Sequence, residues 1–179
     1  MNMNPTILTK DGSYFNFQTP WESTIDIGSI AHALSHICRF TGHTRQFYSV
    51  AQHSYMTSMI VPPQFALQAL LHDAAEAYIG DVASPLKQML PEYKRIEHEV
   101  EEAVLQHFGI TLPLDASIKR ADLVMLATEA RDLLPKHTSW FAGTDIQPLK
   151  ETLVPLDSYY AKKLFINRFN LLNDARGAA

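Results

Sequence analysis

Apolar residues recur every three or four positions through most of the chain, the spacing that lays one stripe of a helix against a core. Ile27, Ile30, Ala31, Leu34, Ile37 and Cys38 keep that spacing and predict a first helix over about 26–39. A second, VAQHSYMTSMI, follows Ser49, whose hydroxyl suits an N-cap, and ends before Pro62-Pro63. A third is predicted from Pro63, a favoured first-turn residue, through FALQALLHDAAEAY to Gly80; it is strongly apolar and hence central. Ser84-Pro85 opens a short helix. EYKRIEHEVEEAVLQHF predicts a longer one, with Tyr93, Ile96, Val100, Ala103, Val104 and His107 on one side and Gly109 as its stop. Asp115 caps ASIKRADLVMLATEARDLL, which Pro135 ends, and a last helix over about 155–173 carries Tyr159, Leu164, Phe165 and Phe169. Met56, Met59, Met89 and Met125 read as core.

Two stretches break the helical period. Asp11-Gly12 lies between short β-branched and aromatic runs and predicts a hairpin over about 5–18. KHTSWFAGTDIQPLKETLVP mixes Gly, Pro, Thr and Asp and reads as a loop over the helices. The expected fold is all-α, a bundle of six to seven helices with a small N-terminal β-hairpin.

At 179 residues the expectation is one domain spanning 1–179. A content of 46% hydrophobic and 19% charged residues excludes a disordered chain, and the lack of a bilayer-length apolar run predicts no membrane association. The net charge of -4 provides no general attraction for polyanions. A phosphate-bearing ligand would need local cations or a metal, and stable nucleic-acid binding is not expected. Cys38 is the single cysteine, which excludes an internal disulfide, and MNMNPTILTKDG lacks a basic, apolar leader; the expected location is cytoplasmic.

The candidate chemistry sits inside the most apolar helix. LLHDAAEAYIGD places His72 beside Asp73, with Glu76 one turn beyond both and Asp81 past the end. His53 lies on the stripe of Val50, Met56 and Ile60, and Asp122 on that of Ile118, Ala121 and Met125. A lone carboxylate in a dry interior costs several kcal/mol, so these groups should be neutralised, paired or coordinated. One divalent ion held by His53, His72, Asp73 and Asp122 satisfies all four. Such a set suits Zn, Fe, Co or Mn, and its two carboxylates extend the choice toward Mn and Mg. The ion would acidify water and polarise a phosphoryl group, which is hydrolytic chemistry.

The order of His53, His72-Asp73 and Asp122 resembles that of the HD-domain metal-dependent phosphohydrolases. FTGHTRQFYSVAQHSYMTSMI followed by LLHDAAEAYIGDVASPLK is similar to the small helical nucleotidases of that group, the bacterial 5'-deoxynucleotidases and phage dATP triphosphohydrolases, over about residues 25–135. The resemblance implies metal roles for those four residues and a catalytic role for Glu76, orienting water or handling a proton. It implies substrate contacts from Arg39 and Phe40, with Phe40 standing where relatives often carry tryptophan, from Asp81 on the sugar side and from Lys87 toward phosphate. Lys119 is a second candidate for phosphate, and Gly42 leaves room beside a base edge.

The expected activity is metal-dependent hydrolysis of (deoxy)nucleotide phosphates, either as a dNTP triphosphohydrolase or as a 5'-deoxynucleotidase. A non-catalytic nucleotide or nucleic-acid sensor that keeps the metal as structure is the alternative; the intact HDxxE speaks against it, since a closed structural site needs no adjacent acid. By analogy with related nucleotidases a homodimer or larger homo-oligomer is expected. His32 and His36, four residues apart on the first helix, lack a carboxylate partner nearby in sequence and read as helix surface.

Overall fold

A computed structural model of the chain describes residues 5–135 and 140–177. The chain opens with two antiparallel strands, β1 (Thr6–Leu8) and β2 (Tyr14–Asn16), in the register Thr6 to Asn16, Ile7 to Phe15 and Leu8 to Tyr14. Helices follow in the order α1 (Ile27–His36), α2 (Val50–Ile60), α3 (Ala66–Leu71), α4 (Glu76–Ile79), α5 (Ser84–Lys87), α6 (Pro91–His107), α7 (Ala116–Leu133) and α8 (Ser158–Gly177). The expected all-α architecture with an N-terminal hairpin is what the chain adopts. No helix among the described residues is long and apolar enough to cross a membrane.

Local chemistry sets the helix starts. Asp26 accepts the Ser29 amide at 2.6 Å, Ser49 the Gln52 amide at 3.2 Å and Asp115 the Ser117 amide at 2.9 Å, each occupying a donor that the first turn would leave free. Asp157 accepts the Tyr160 amide at 2.9 Å, so α8 begins at Ser158 rather than near Pro155. Residues 140–157 are non-helical, as read; the remainder of that loop, 136–139, lies outside the described residues.

Two other helices differ more widely from the expectation. The first stops at His36, where Ile37 turns extended (φ -83, ψ 122). Cys38 then bridges Ser49, the Arg39 amide donates to the Tyr48 carbonyl at 2.9 Å, and the Val50 amide donates to the Ile37 carbonyl at 3.1 Å. Backbone groups a longer helix would pair internally are satisfied across the chain instead. The predicted third helix is divided into a 3-10 turn (Pro63–Phe65), α3, a turn over residues 72–75, and α4.

The main core joins both ends of the chain. Phe15, Ile30, Leu34, Leu70, Val104 and Phe165 are fully buried within it, and α8 returns to pack on α1, α2 and α3. Some apolar stripes are narrower than their spacing suggests. On α6 Leu105 is buried and His107 exposed, on α8 Tyr159 faces water, and Met59 and Met89 are exposed while Met125 is core. Leu70 stands two residues before the His-Asp doublet with no exposure. Leu70→Ala should destabilise the protein by about 2–5 kcal/mol. Urea unfolding would read this as a lower midpoint at unchanged slope; a midpoint that does not move would show that Leu70 is not part of the support beneath the doublet.

Candidate metal centre

Three segments aim polar side chains at one point. α2 provides His53, the turn between α3 and α4 provides His72 and Asp73, and α7 provides Asp122. One ligand atom each from His53, His72 and Asp122 falls within 4.8 Å of the others. Asp73 Oδ2 lies 3.2 Å from His72 Nε2 and 3.6 Å from His53 Nε2, and Asp122 Oδ1 lies 3.4 Å from His53 Nε2. The two imidazoles are tilted by 48° with centroids 5.3 Å apart.

The turn at 72–75 explains how one short stretch supplies so much of the site. Its amides bond three residues back: Ala74 to Leu71, Glu76 to Asp73, Ala77 to Ala74 and Tyr78 to Ala75, at 2.9–3.2 Å. This is 3-10 winding, in which side chains three apart eclipse, so Glu76 stands over Asp73 more closely than α-helical winding would place it. Gly80 ends the run at φ 78 and ψ 162, a region essentially confined to glycine, and directs the chain to Asp81.

Both imidazoles are anchored through Nδ1, which turns Nε2 toward the cluster. His72 Nδ1 donates to the Ala69 carbonyl at 2.7 Å, and His53 Nδ1 donates to Glu129 Oε1 at 2.6 Å. Anchoring of the distal ring nitrogen by a carbonyl or a carboxylate is the usual support of a metal-binding histidine. His53 Nε2, His72 Nε2 and Asp73 Oδ2 are then buried without a hydrogen-bond partner among the described residues. Buried polar atoms in that condition are rare, and a cation at their meeting point satisfies all three at once. The donor set thus fits a divalent metal.

Glu129 is the functional residue that sequence reasoning missed. Fully buried, it accepts from His53 on one oxygen and from Arg39 Nη2 at 3.2 Å on the other, while Arg39 Nη1 lies 3.6 Å from Asp73 Oδ2. Arg39 therefore ties the metal-facing carboxylate to the carboxylate behind His53. Burial works against charge on Glu129, but Arg39 and His53 outweigh it and hold the carboxyl below its ordinary range. The Tyr48 phenol is pushed well up by burial and by the Glu129 charge. A signal was present in the sequence: Glu129 follows Asp122 by two helical turns, past Met125 on the same stripe.

The charges around the doublet divide into two groups. Burial opposes ionisation of Asp73, yet His72, His53 and Arg39 depress its pKa far below the usual range, and Asp122 is depressed likewise by His53 and His72 against its burial. Burial and Arg39 disfavour protonated His53, but Glu129 and Asp122 prevail and raise its pKa to about 9, a proton that metal binding displaces. Glu76 differs. Burial first, then the charges of Asp73 and Asp81, push its carboxyl well above the ordinary range.

The remaining candidates are placed unevenly. Asp81 is half-buried, its pKa raised by burial against the pull of Arg39. Arg39 Cζ lies 5.7 Å from the centre of the Phe40 ring. Phe40, Thr41 and Gly42 follow one another at φ 54, 54 and 79, all left-handed, and a Cβ placed on Gly42 would meet only Cys38 Cβ, at 4.0 Å. Lys87 is bound to the Glu97 carboxylate. Lys119 is largely exposed and donates to Asp122 Oδ2 at 2.7 Å. On α1, the His36 ring nitrogen Nδ1 donates to the His32 carbonyl at 2.7 Å, a local contact within the helix.

Comparison with known proteins adds a second line. A family described as 5'-deoxynucleotidase YfbR-like matches residues 24–135, which include the whole His-Asp constellation and Glu129. The uncharacterized protein YfdR of Escherichia coli (strain K12) is 41% identical over 175 residues, 97% of this chain and 98% of its own length. An uncharacterized protein of Rhodobacter capsulatus is 32% identical over 136 residues, 68% of this chain and 69% of its own. A 5'-deoxynucleotidase of Pasteurella multocida (strain Pm70) is 23% identical over 169 residues, 83% of this chain and 80% of its own.

Proposed function

This chain belongs to the 5'-deoxynucleotidase YfbR-like family, within the HD-domain superfamily, and on that footing we propose that it is a metal-dependent phosphohydrolase of deoxynucleoside 5'-monophosphates. The observation that carries the reading is the convergence of His53, His72, Asp73 and Asp122 with Glu76 one tight turn beyond. Those four residues would hold the ion. A divalent cation in such a place lowers the pKa of water and draws electron density from a phosphoryl oxygen.

The chain's own groups do the rest. Glu76, buried one tight turn beyond Asp73, takes the proton of the attacking water as the bond to phosphorus forms and returns it to the 5'-oxygen as the phosphorus–oxygen ester bond breaks. Arg39 keeps a fixed positive charge beside Asp73, where negative charge gathers on the phosphoryl oxygens. His72 and His53 stay aimed because the Ala69 carbonyl and Glu129 hold their distal nitrogens. Asp81, half-buried just past Gly80, is assigned to the sugar.

The monophosphate is favoured over the triphosphate by the state of the two candidate lysines. A triphosphate tail needs several cations, yet Lys87 is engaged by Glu97 and Lys119 by Asp122. The decisive experiment incubates the protein, loaded with Mn, Co, Mg or Zn, with nucleoside mono- and triphosphates and identifies the products chromatographically. Release of deoxynucleoside and inorganic phosphate from monophosphates is expected, with loss of turnover on chelation. Release of tripolyphosphate would instead make the protein a dNTP triphosphohydrolase, and inactivity with every metal would favour a sensor. Glu76→Gln should lower kcat by on the order of a hundredfold with KM little changed; a kcat within a few-fold of wild type would remove Glu76 from the proton transfer.

A further inference from the structure

A cavity of about 300 Å³ lies between the N-terminal ribbon, α1 and α4, with none of the metal-facing residues in its wall. The ribbon contributes Ile7 and, just past β1, Lys10; α1 contributes Ser29 and His32, one turn apart; α4 contributes Ala77 and Tyr78. That volume stands at the lower end of the range of about 300–1,000 Å³ in which small molecules bind.

Part of this wall is polar and unsatisfied. Ser29 and Tyr78 are only 6% and 7% exposed, and neither Ser29 Oγ nor Tyr78 Oη has a hydrogen-bond partner among the described residues. Buried hydroxyls in that condition are rare and mark a place where a partner belongs. The two acids whose charge reaches Tyr78 are occupied elsewhere: Asp26 accepts the Ser29 amide, and Asp11 accepts the Ser13 hydroxyl. Two nitrogen bases complete the polar part. Lys10, unlike Lys87 and Lys119, has no carboxylate partner among the described residues. The His32 imidazole stands among cations, and burial first, then His36, Lys162 and Lys10, holds its pKa below the ordinary value.

We propose that this cavity is a second binding site, for a small organic phosphate whose phosphoryl oxygens are met by Lys10, His32, Ser29 and Tyr78. The class of ligand follows from the wall. Each of those four side chains is able to donate and no carboxylate lines the cavity, so the complementary group is an anion rich in acceptors. A phosphomonoester offers three strong acceptor oxygens, a carboxylate two. Inorganic phosphate alone would leave Ile7 and Ala77 uncovered, so the ligand carries a compact apolar body. The site stands independently of the hydrolytic reading. Its occupancy is nonetheless felt at the metal centre, because Ala77 and Tyr78 directly follow Glu76 in a helix of one turn.

Phenylphosphonate is the probe, since its phosphorus–carbon bond is no ester and survives the metal centre. Titrated into the isotope-labelled, Mg-loaded protein, it should shift the amide resonances of Ser29, His32, Ala33 and Ala77 saturably and together, with benzoate at least about tenfold weaker. Lys10→Ala, at an exposed position, and Ser29→Ala should each weaken this binding by about tenfold, the size of one lost hydrogen bond to a charged group, with turnover of deoxynucleotides within about twofold of wild type. Shifts confined to the surroundings of His53, His72 and Asp122 would put the probe at the metal centre alone and overturn the second site. Affinity unchanged in both variants would do the same, and benzoate binding as tightly as phenylphosphonate would overturn the phosphate class. The shift map needs no turnover, so a wild type that hydrolyses no nucleotide would remove the enzymatic reading and leave this one to be decided by the titration.

Discussion

Asp73→Asn should remove the proposed metal-dependent hydrolysis, lowering kcat/KM by on the order of a thousandfold or more. The substitution keeps the size of the side chain and takes away one charge, and that charge has three neighbours. Asp73 Oδ2 lies 3.2 Å and 3.6 Å from the two imidazole nitrogens and 3.6 Å from Arg39 Nη1. With an amide there, a divalent ion meets two neutral rings and one remaining carboxylate, and it faces the Arg39 charge without the anion that separates them. Calorimetric titration with Mn or Co should show binding weakened together with activity. A variant that binds metal at full stoichiometry and turns over within tenfold of wild type would mean that Asp73 faces the cluster without holding the ion.

The second large effect falls on stability as well as on the metal. Glu129→Gln leaves Arg39 buried with one fewer counter-charge and weakens the anchor of His53. Breaking a buried charge pair by removing one partner typically costs about 3–5 kcal/mol, and losing the carboxylate behind a metal-binding histidine weakens metal affinity by about 10–100-fold. Thermal melts of the metal-free protein and a metal titration read the two parts separately. The pH dependence has a definite sign. Glu129 is held below its ordinary range in the folded protein, so its contribution is fully present above the unfolded carboxyl pKa and disappears as pH falls through the lower folded value. The advantage of the wild type over Glu129→Gln should therefore shrink on acidification. A variant as stable as the wild type at neutral pH would show that a neutral amide satisfies Arg39 and His53 as well as the carboxylate does.

What could be read from the sequence follows from which forces are local. Ser49 and Asp115 cap their helices because the cap is a contact between residues two or three apart. The inward positions of His53 and Asp122 followed from a period that one helix defines alone. The break at 72–75 did not, since apolar residues flank the doublet on both sides and spacing cannot distinguish three residues per turn from 3.6 over so short a stretch. The early end of α1 depends on backbone bonds to residues 48–50, which no pattern within α1 encodes. Glu129 was overlooked because a glutamate among Arg131 and Asp132 looks like solvated charge. Only the assembled bundle places Arg39 and His53 against it.

The N-terminal ribbon, which precedes the stretch matched by the family, reaches the segment that carries Glu76 through an aromatic stack. Phe15 of β2 is fully buried and lies 3.9 Å from the Tyr78 ring at 18°, and Tyr78 shares the four-residue helix α4 with Glu76. A helix of one turn has almost no stability of its own. The ribbon therefore works as a buttress, and trimming the protein back to residue 24 would take the brace from behind Glu76 while sparing all four candidate metal ligands.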